Sequence, residues 1–191
     1  PGLSGSQTSF LRAEHFTGVV TTRTATDVDA GTVLTYSLSG ADAARFSITS
    51  GGALSFVNAP NFEAPTDAGA NNIYDVTINV SDGALSASRS ITVDILNANE
   101  GPIITSNGGG DTAAIQIAEN SVAVTTVTSI DPDVAQGSRT YSIAGGADAD
   151  LFGIQASTGY LYFLSSRNFE APADAGGNSV YDVVVAVSDG F

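Results

Sequence analysis

Oxygen-donor side chains recur in a fixed order along this chain, and their spacing is the first chemistry it offers. A glutamate opens each half (Glu14, Glu119), and an Asp-x-Asp pair follows (Asp27/Asp29, Asp131/Asp133). An Asn-Phe-Glu segment comes next (Glu63, Glu170), then a Ser-Asp-Gly segment (Asp82, Asp189). Between the halves lie Asn97, Asn99 and Glu100. In extended chain, residues i and i+2 point to one face, so each Asp-x-Asp offers two carboxylates side by side. Calcium takes six to eight oxygens from Asp, Glu, Asn and backbone carbonyls. An ordered set of this kind, present twice, points to a shared metal role rather than to unrelated turns. Paired carboxylates also hydrolyse glycosides when held about 5–10 Å apart. A catalytic pair occurs once, however, and these acids are duplicated, which argues against an enzyme.

The duplication extends well beyond the acids. Asn61-Phe-Glu-Ala-Pro-Thr-Asp-Ala-Gly69 returns as Asn168-Phe-Glu-Ala-Pro-Ala-Asp-Ala-Gly176. Ile73-Tyr-Asp-Val76 returns as Val180-Tyr-Asp-Val183, Tyr36-Ser-Leu38 as Tyr141-Ser-Ile143, and Ala41-Asp-Ala43 as Ala147-Asp-Ala149. The unit is about 105 residues, the size of an immunoglobulin-like sandwich. The boundary falls at Asn97-Ala-Asn-Glu-Gly-Pro102, giving expected domains 1–98 and 99–191. The run Ala84–Ile95 that ends the first repeat has no counterpart after Gly190, so the second repeat is expected to lack its last strand.

The elements that must position the acids are strands. Val76-Thr-Ile-Asn-Val80 and Ile91-Thr-Val-Asp-Ile95 alternate apolar and polar residues, the period of a half-buried strand. Turn signals such as Ser50-Gly-Gly52, Ser157-Thr-Gly159 and Ser81-Asp-Gly83 punctuate the runs. The expected fold is all-β: two tandem Greek-key β-sandwich domains of about seven strands each. Ala41–Phe46 has room for one helical turn. The expected core is Phe46, Ile48, Leu54, Phe56 and Tyr74, with Phe152, Ile154, Leu161, Phe163 and Tyr181. Tyr160 and Tyr162 serve either as strand packing or as a surface on which a sugar stacks.

Bulk composition narrows the partners. Twenty acidic residues face six basic ones, for a net charge of −14, which disfavours nucleic acid and anionic membrane surfaces. There is no Cys, so disulfides and thiolate metal sites are excluded, and the single His15 leaves no basis for an imidazole site. No apolar run approaches the ~20 residues of a membrane span, and no signal peptide is visible.

These motifs resemble those of the cadherin superfamily, specifically the cadherin-like repeats of large bacterial secreted or surface adhesins. Ala118-Glu-Asn120 resembles the family's opening Glu-Asn, Asp131-Pro-Asp133 its Asp-x-Asp, and Asn61-Phe-Glu63 its Asp-Arg-Glu with Asn for the first acid. Asn97-Ala-Asn-Glu-Gly-Pro102 resembles its linker, and Ser188-Asp-Gly190 its late Asp-Gly segment. The resemblance implies Ca2+ as cofactor. It implies a complete interdomain metal site from Glu14, Glu63, Asn97, Asn99, Glu100, Asp131, Asp133 and Asp189. Asp27, Asp29, Asp82, Glu119 and Glu170 then form half-sites. Glu14 departs from the pattern in being followed by His15 rather than Asn. Asp67 and Asp174 either add ligands or shape their loops. The implied function is a calcium-dependent adhesion repeat at a bacterial cell surface or outside the cell, or a calcium-dependent polysaccharide-binding module of a biofilm matrix. The implied partners are extracellular polysaccharide or other copies of the adhesin, with no nucleic acid and no membrane insertion.

Overall fold

A computed structural model describes residues 1–29, 31–133 and 139–191. The chain divides into two compact units, Pro1–Ala98 and Asn99–Phe191, and both are β-sandwiches.

In the first unit, β1 (Gly2–Leu3), β2 (Ser9–Ala13), β3 (Val19–Thr22), β4 (Ala25–Thr26) and β5 (Thr35–Ser39) are followed by a 3-10 turn at Ala43–Arg45. Then come β6 (Phe46–Ile48), β7 (Ala53–Phe56), β8 (Ile73–Ser81) and β9 (Ser86–Leu96). One sheet has the order β2-β9-β8-β5 and faces a second of order β3-β7-β6, with β1 and β4 paired at the side. The first two passes of the chain are each broken into two short strands, so nine strands make seven passes. The β2–β9 pairing is parallel and every other pairing antiparallel.

The alternation read in β8 and β9 is the one the sheet uses. Tyr74, Val76, Ile78 and Val80 are buried along β8, and Ile91, Val93 and Ile95 along β9, while the residues between them face outward. Each branched side chain withdrawn in this way stabilises the fold by roughly 1.5–3 kcal/mol. Phe46, Leu54 and Tyr74 complete the interior, with Ile48 and Phe56 partly buried against them. Phe46 and Phe56 pack at 4.4 Å between centroids, and Tyr74 meets Phe56 edge-on at 5.2 Å.

The second unit contains β10 (Ile103–Ile104), β11 (Ala123–Thr126), β12 (Ser129–Ile130), β13 (Thr140–Gly145), a 3-10 turn at Ala149–Leu151, β14 (Phe152–Ile154), β15 (Tyr160–Phe163) and β16 (Val184–Ser188). It repeats the first unit's plan: β11-β15-β14 form a three-stranded sheet, β13 pairs with β16, and β10 with β12. Phe152 and Phe163 again lie 4.4 Å apart, and Tyr181 meets Phe163 at 5.0 Å. Phe152, Leu161 and Phe163 are buried; Ile154 and Tyr181 pack against them, partly covered.

The two units differ where the sequences differ. β8 is nine residues long because β9 and β5 clamp it from both sides. Among the described residues, β16 pairs with β13 alone, and it is five residues long. Ile115, at the position matching the buried Phe10, is 39% exposed.

A glycine fixes the entry to β7 and β15. Gly52 (φ +81°) and Gly159 (φ +71°) hold left-handed backbone, and a Cβ on either would lie 1.9 Å from the Arg23 carbonyl oxygen or 2.1 Å from that of Val127. Only glycine allows that approach.

Candidate metal centre

The strand ends of the first unit gather three of the expected donors. β2 runs parallel to β9, and the Glu14 amide extends this ladder by donating to the Leu96 carbonyl at 3.0 Å. Glu14 therefore sits where both strands stop, and it is only 4% exposed. Its carboxylate accepts from the Phe62 amide and from the Ala98 amide, each at 2.9 Å. The Asn97 side chain donates to Glu63 at 3.2 Å. Glu14, Glu63 and Asn97 thus share one end of this sandwich. Burial pushes the Glu14 pKa upward, but the Phe62 and Ala98 amides, His15 and Glu63 together outweigh it, and the net shift is downward.

In the second unit, the expected donors likewise gather at one end. Asp131 and Asp133 directly follow β12, and the Asp133 amide closes a turn onto the Asp131 carboxylate at 3.0 Å. The Glu100 amide donates to Asp133 Oδ2 at 2.6 Å, and the Asn99 side chain to Asp189 Oδ2 at 2.7 Å. Asp189 follows β16 and also accepts from the Phe191 amide at 3.1 Å. The Asn99 side chain and this amide hold the Asp189 pKa below its ordinary value. Asn99, Glu100, Asp131, Asp133 and Asp189 are therefore one cluster. Asp133 Oδ1 is shielded from solvent and accepts no hydrogen bond among the described residues. A carboxylate oxygen in that condition is costly unless a cation meets it.

The matching set in the first unit has the same local structure. The Asp29 amide closes the same turn onto Asp27 at 2.9 Å. The Asp29 amide holds the Asp27 pKa below its ordinary value. The oxygen-only donor set and the unpartnered Asp133 oxygen fit a hard divalent ion such as calcium.

The remaining half-site residues are more exposed. Glu119 accepts from the Phe169 amide at 3.1 Å, repeating the Glu14–Phe62 brace, and Glu170 is exposed.

Asp67 and Asp174 shape their loops. Asp67 accepts from the amides of Gly69, Asn71 and Asn72 at 3.0, 3.0 and 3.1 Å. Asp174 accepts from Asn178 and Ser179, each at 2.9 Å, which hold its pKa low. Both are buried.

A second pair of structural acids went unread in the sequence. Asp42 accepts from Ala68 and Asp75 amides at 2.7 Å each, and Asp148 from Ala175 and Asp182 at 2.6 and 2.8 Å. The signal was present in the repetition of Ala41-Asp-Ala43 as Ala147-Asp-Ala149.

No protein-family model matches the chain, and no curated protein matches it. Solved structures do. Human Protocadherin-24 EC1-2 aligns over 98% of this chain and 92% of its own, with a TM-score of 0.55 and 23% identity. Human CDH23 EC21-23 aligns over 95% of this chain and 66% of its own, with a TM-score of 0.53 and 18% identity. Drosophila N-cadherin EC1-4 aligns over 84% of this chain and 40% of its own, with a TM-score of 0.54 and 12% identity. At these identities the likeness is one of fold, and the fold is a cadherin-like tandem of two β-sandwiches.

Proposed function

We propose that this chain is a calcium-dependent, adhesion-type extracellular repeat. Glu14, Glu63 and Asn97 from the first unit, with Asn99, Glu100, Asp131, Asp133 and Asp189 from the second, are its calcium ligands. Asp27, Asp29 and Asp82 form a weaker half-site, as do Glu119 and Glu170. The observation that carries this reading is the gathering of Asn99, Glu100, Asp131, Asp133 and Asp189 into one cluster of oxygen donors. Supporting it are the solvent-shielded Asp133 oxygen and the cadherin-like fold. Calcium would neutralise part of a −14 charge that otherwise repels itself.

An adhesive role outside the cell or at its surface follows from this reading, with other copies of the chain as partners. Among the described residues, no helix is long and apolar enough to cross a membrane. The second reading, a calcium-dependent polysaccharide-binding module of a biofilm matrix, is favoured by one observation, the stacked pair of the exposed Tyr160 and the half-buried Tyr162 in the second unit. The duplication of the acids speaks against catalysis under either reading.

The test is thermal unfolding in calcium and in chelator, with small-angle scattering alongside. Calcium that binds only the folded state raises stability by about 2.7 kcal/mol at a hundredfold excess over Kd. The midpoint is expected to rise with calcium and the particle to lengthen, and Asp131→Ala to abolish both effects. A midpoint that ignores calcium and chelator alike would end the calcium reading.

A further inference from the structure

The chain carries its own control experiment on the outer face of the three-stranded sheet. In the first unit, the outward positions of β7 are Ala53 and Ser55, with Ser47 beside Ser55 on β6. In the second, the same positions are Tyr160, Tyr162 and Gly153. The inward residues between them, Leu54 and Phe56 against Leu161 and Phe163, are the same. The core has therefore been kept while the outer face has been rebuilt.

The rebuilt face is aromatic. Tyr160 and Tyr162 stack with ring centroids 5.6 Å apart and planes 19° from parallel. Tyr162 lies over Gly153: a Cβ there would come within 2.6 Å of its Cζ and 2.7 Å of its Oη. An aromatic ring covering a strand glycine is a known means of repairing a weak sheet position, and it accounts for Tyr162 alone. It does not account for Tyr160, which covers no glycine among the described residues, is 38% exposed and holds its ring against that of Tyr162.

The neighbours on this face decide the ligand. Opposite Tyr162 is Ala123, opposite Tyr160 is Thr126, and Gln155 donates its amide to the Tyr160 carbonyl. None of these six outward positions carries a charge, in a chain of net charge −14. Aromatic platforms that stack nucleic-acid bases are set in basic grooves, and this one is not. A polyanion of any kind would be repelled. Tyrosine rings offer an apolar face and a hydroxyl at the edge, which matches a pyranose ring with its C–H face and its hydroxyl rim. We propose that Tyr160 and Tyr162, on the bed provided by Gly153, form a binding platform for a neutral polysaccharide. The proposal rests on the polysaccharide reading and departs from it in one respect: the platform contains none of the calcium ligands, so sugar binding here needs no metal.

Because the chain has six tyrosines and no tryptophan, tyrosine emission reports on the site directly. The full chain is titrated with cellohexaose, maltohexaose and alginate, in calcium and in chelator. At least one neutral hexasaccharide is expected to perturb the emission and bind equally with and without calcium, while alginate does not. Tyr160→Ala is expected to weaken binding at least tenfold, and Gly153→Ser, which displaces the Tyr162 ring, to weaken it less. Circular dichroism confirms that each variant is folded. The proposal is overturned if neither neutral sugar binds, if binding survives Tyr160→Ala with Tyr162→Ala, or if these substitutions instead abolish self-association of the chain. Loss of the calcium-induced midpoint shift bears only on the metal reading.

Discussion

His15 and Asn120 hold the same left-handed backbone, at φ 57° and 59°, one residue after the leading glutamate of each repeat. The turn sends the His15 amide to the Pro60 carbonyl at 2.8 Å and the Asn120 amide to that of Arg167 at 2.7 Å. It thereby ties each opening glutamate to the segment containing the next one. Asn at this position is explained by backbone conformation, because it enters the left-handed region more readily than most residues. His15→Asn is expected to leave stability unchanged or raise it by about 0.5 kcal/mol. His15→Val, with a branched side chain, should cost about 1–3 kcal/mol. Urea unfolding at pH 8 in chelator measures both without the charge of a protonated imidazole beside Glu14.

Asp42 joins two loops by accepting from amides 26 and 33 residues away. Its removal orphans both donors. Asp42→Ala is expected to cost about 3 kcal/mol, since each hydrogen bond to a charged acceptor contributes roughly 1.5–3 kcal/mol. Denaturant unfolding should give the same loss in calcium and in chelator, which separates this acid from the proposed metal ligands.

Asp133→Asn keeps an acceptor for the Glu100 amide while removing one charge from the cluster. The calcium-induced rise in the thermal midpoint is expected to shrink. Asp27→Asn, which alters only a half-site, should leave that rise intact. A calcium titration followed by calorimetry compares the two.

Acid should weaken the fold in a defined window. Glu14, Asp174 and Asp189 all have folded pKa values below their ordinary ones. Groups depressed in this way contribute stability that is full above the unfolded pKa, about 4 for these side chains. That contribution is lost as pH falls through the lower folded value. The thermal midpoint in chelator is expected to be flat from pH 7 to about 5 and to drop below about 4. With calcium, protonation of its ligands adds a further loss over the same acid range. A midpoint still level at pH 3 would contradict the amide-braced carboxylates.

The sandwich was legible in the sequence because two independent signals agreed. Residues such as Val76, Ile78 and Val80 alternate with polar ones, and the whole pattern occurs twice. The acid set stood out in the sequence for the second reason alone, since a single Asp-x-Asp reads as turn chemistry. The role of Asp42 was not, because its partners are brought to it only by the closing of distant loops. Asp67 was left between two roles, as residue type does not say whether its lone pairs face a metal or the amides of its own loop. The five-residue length of β16 was legible only indirectly, through the last strand that the second repeat was expected to lack, because strand length depends on what clamps the strand as well as on its own residues.

The Phe46–Phe56 and Phe152–Phe163 pairs share the same 4.4 Å separation and the same 31° tilt. The strands that carry them show unrelated residues on their reverse side. Interior and exterior are thus separately editable, one as a chassis and the other as a label. Moving the label follows directly: Ser47→Gly with Ala53→Tyr and Ser55→Tyr would write the second unit's aromatic surface onto the first, giving one molecule with two docking faces and the avidity that comes with valency.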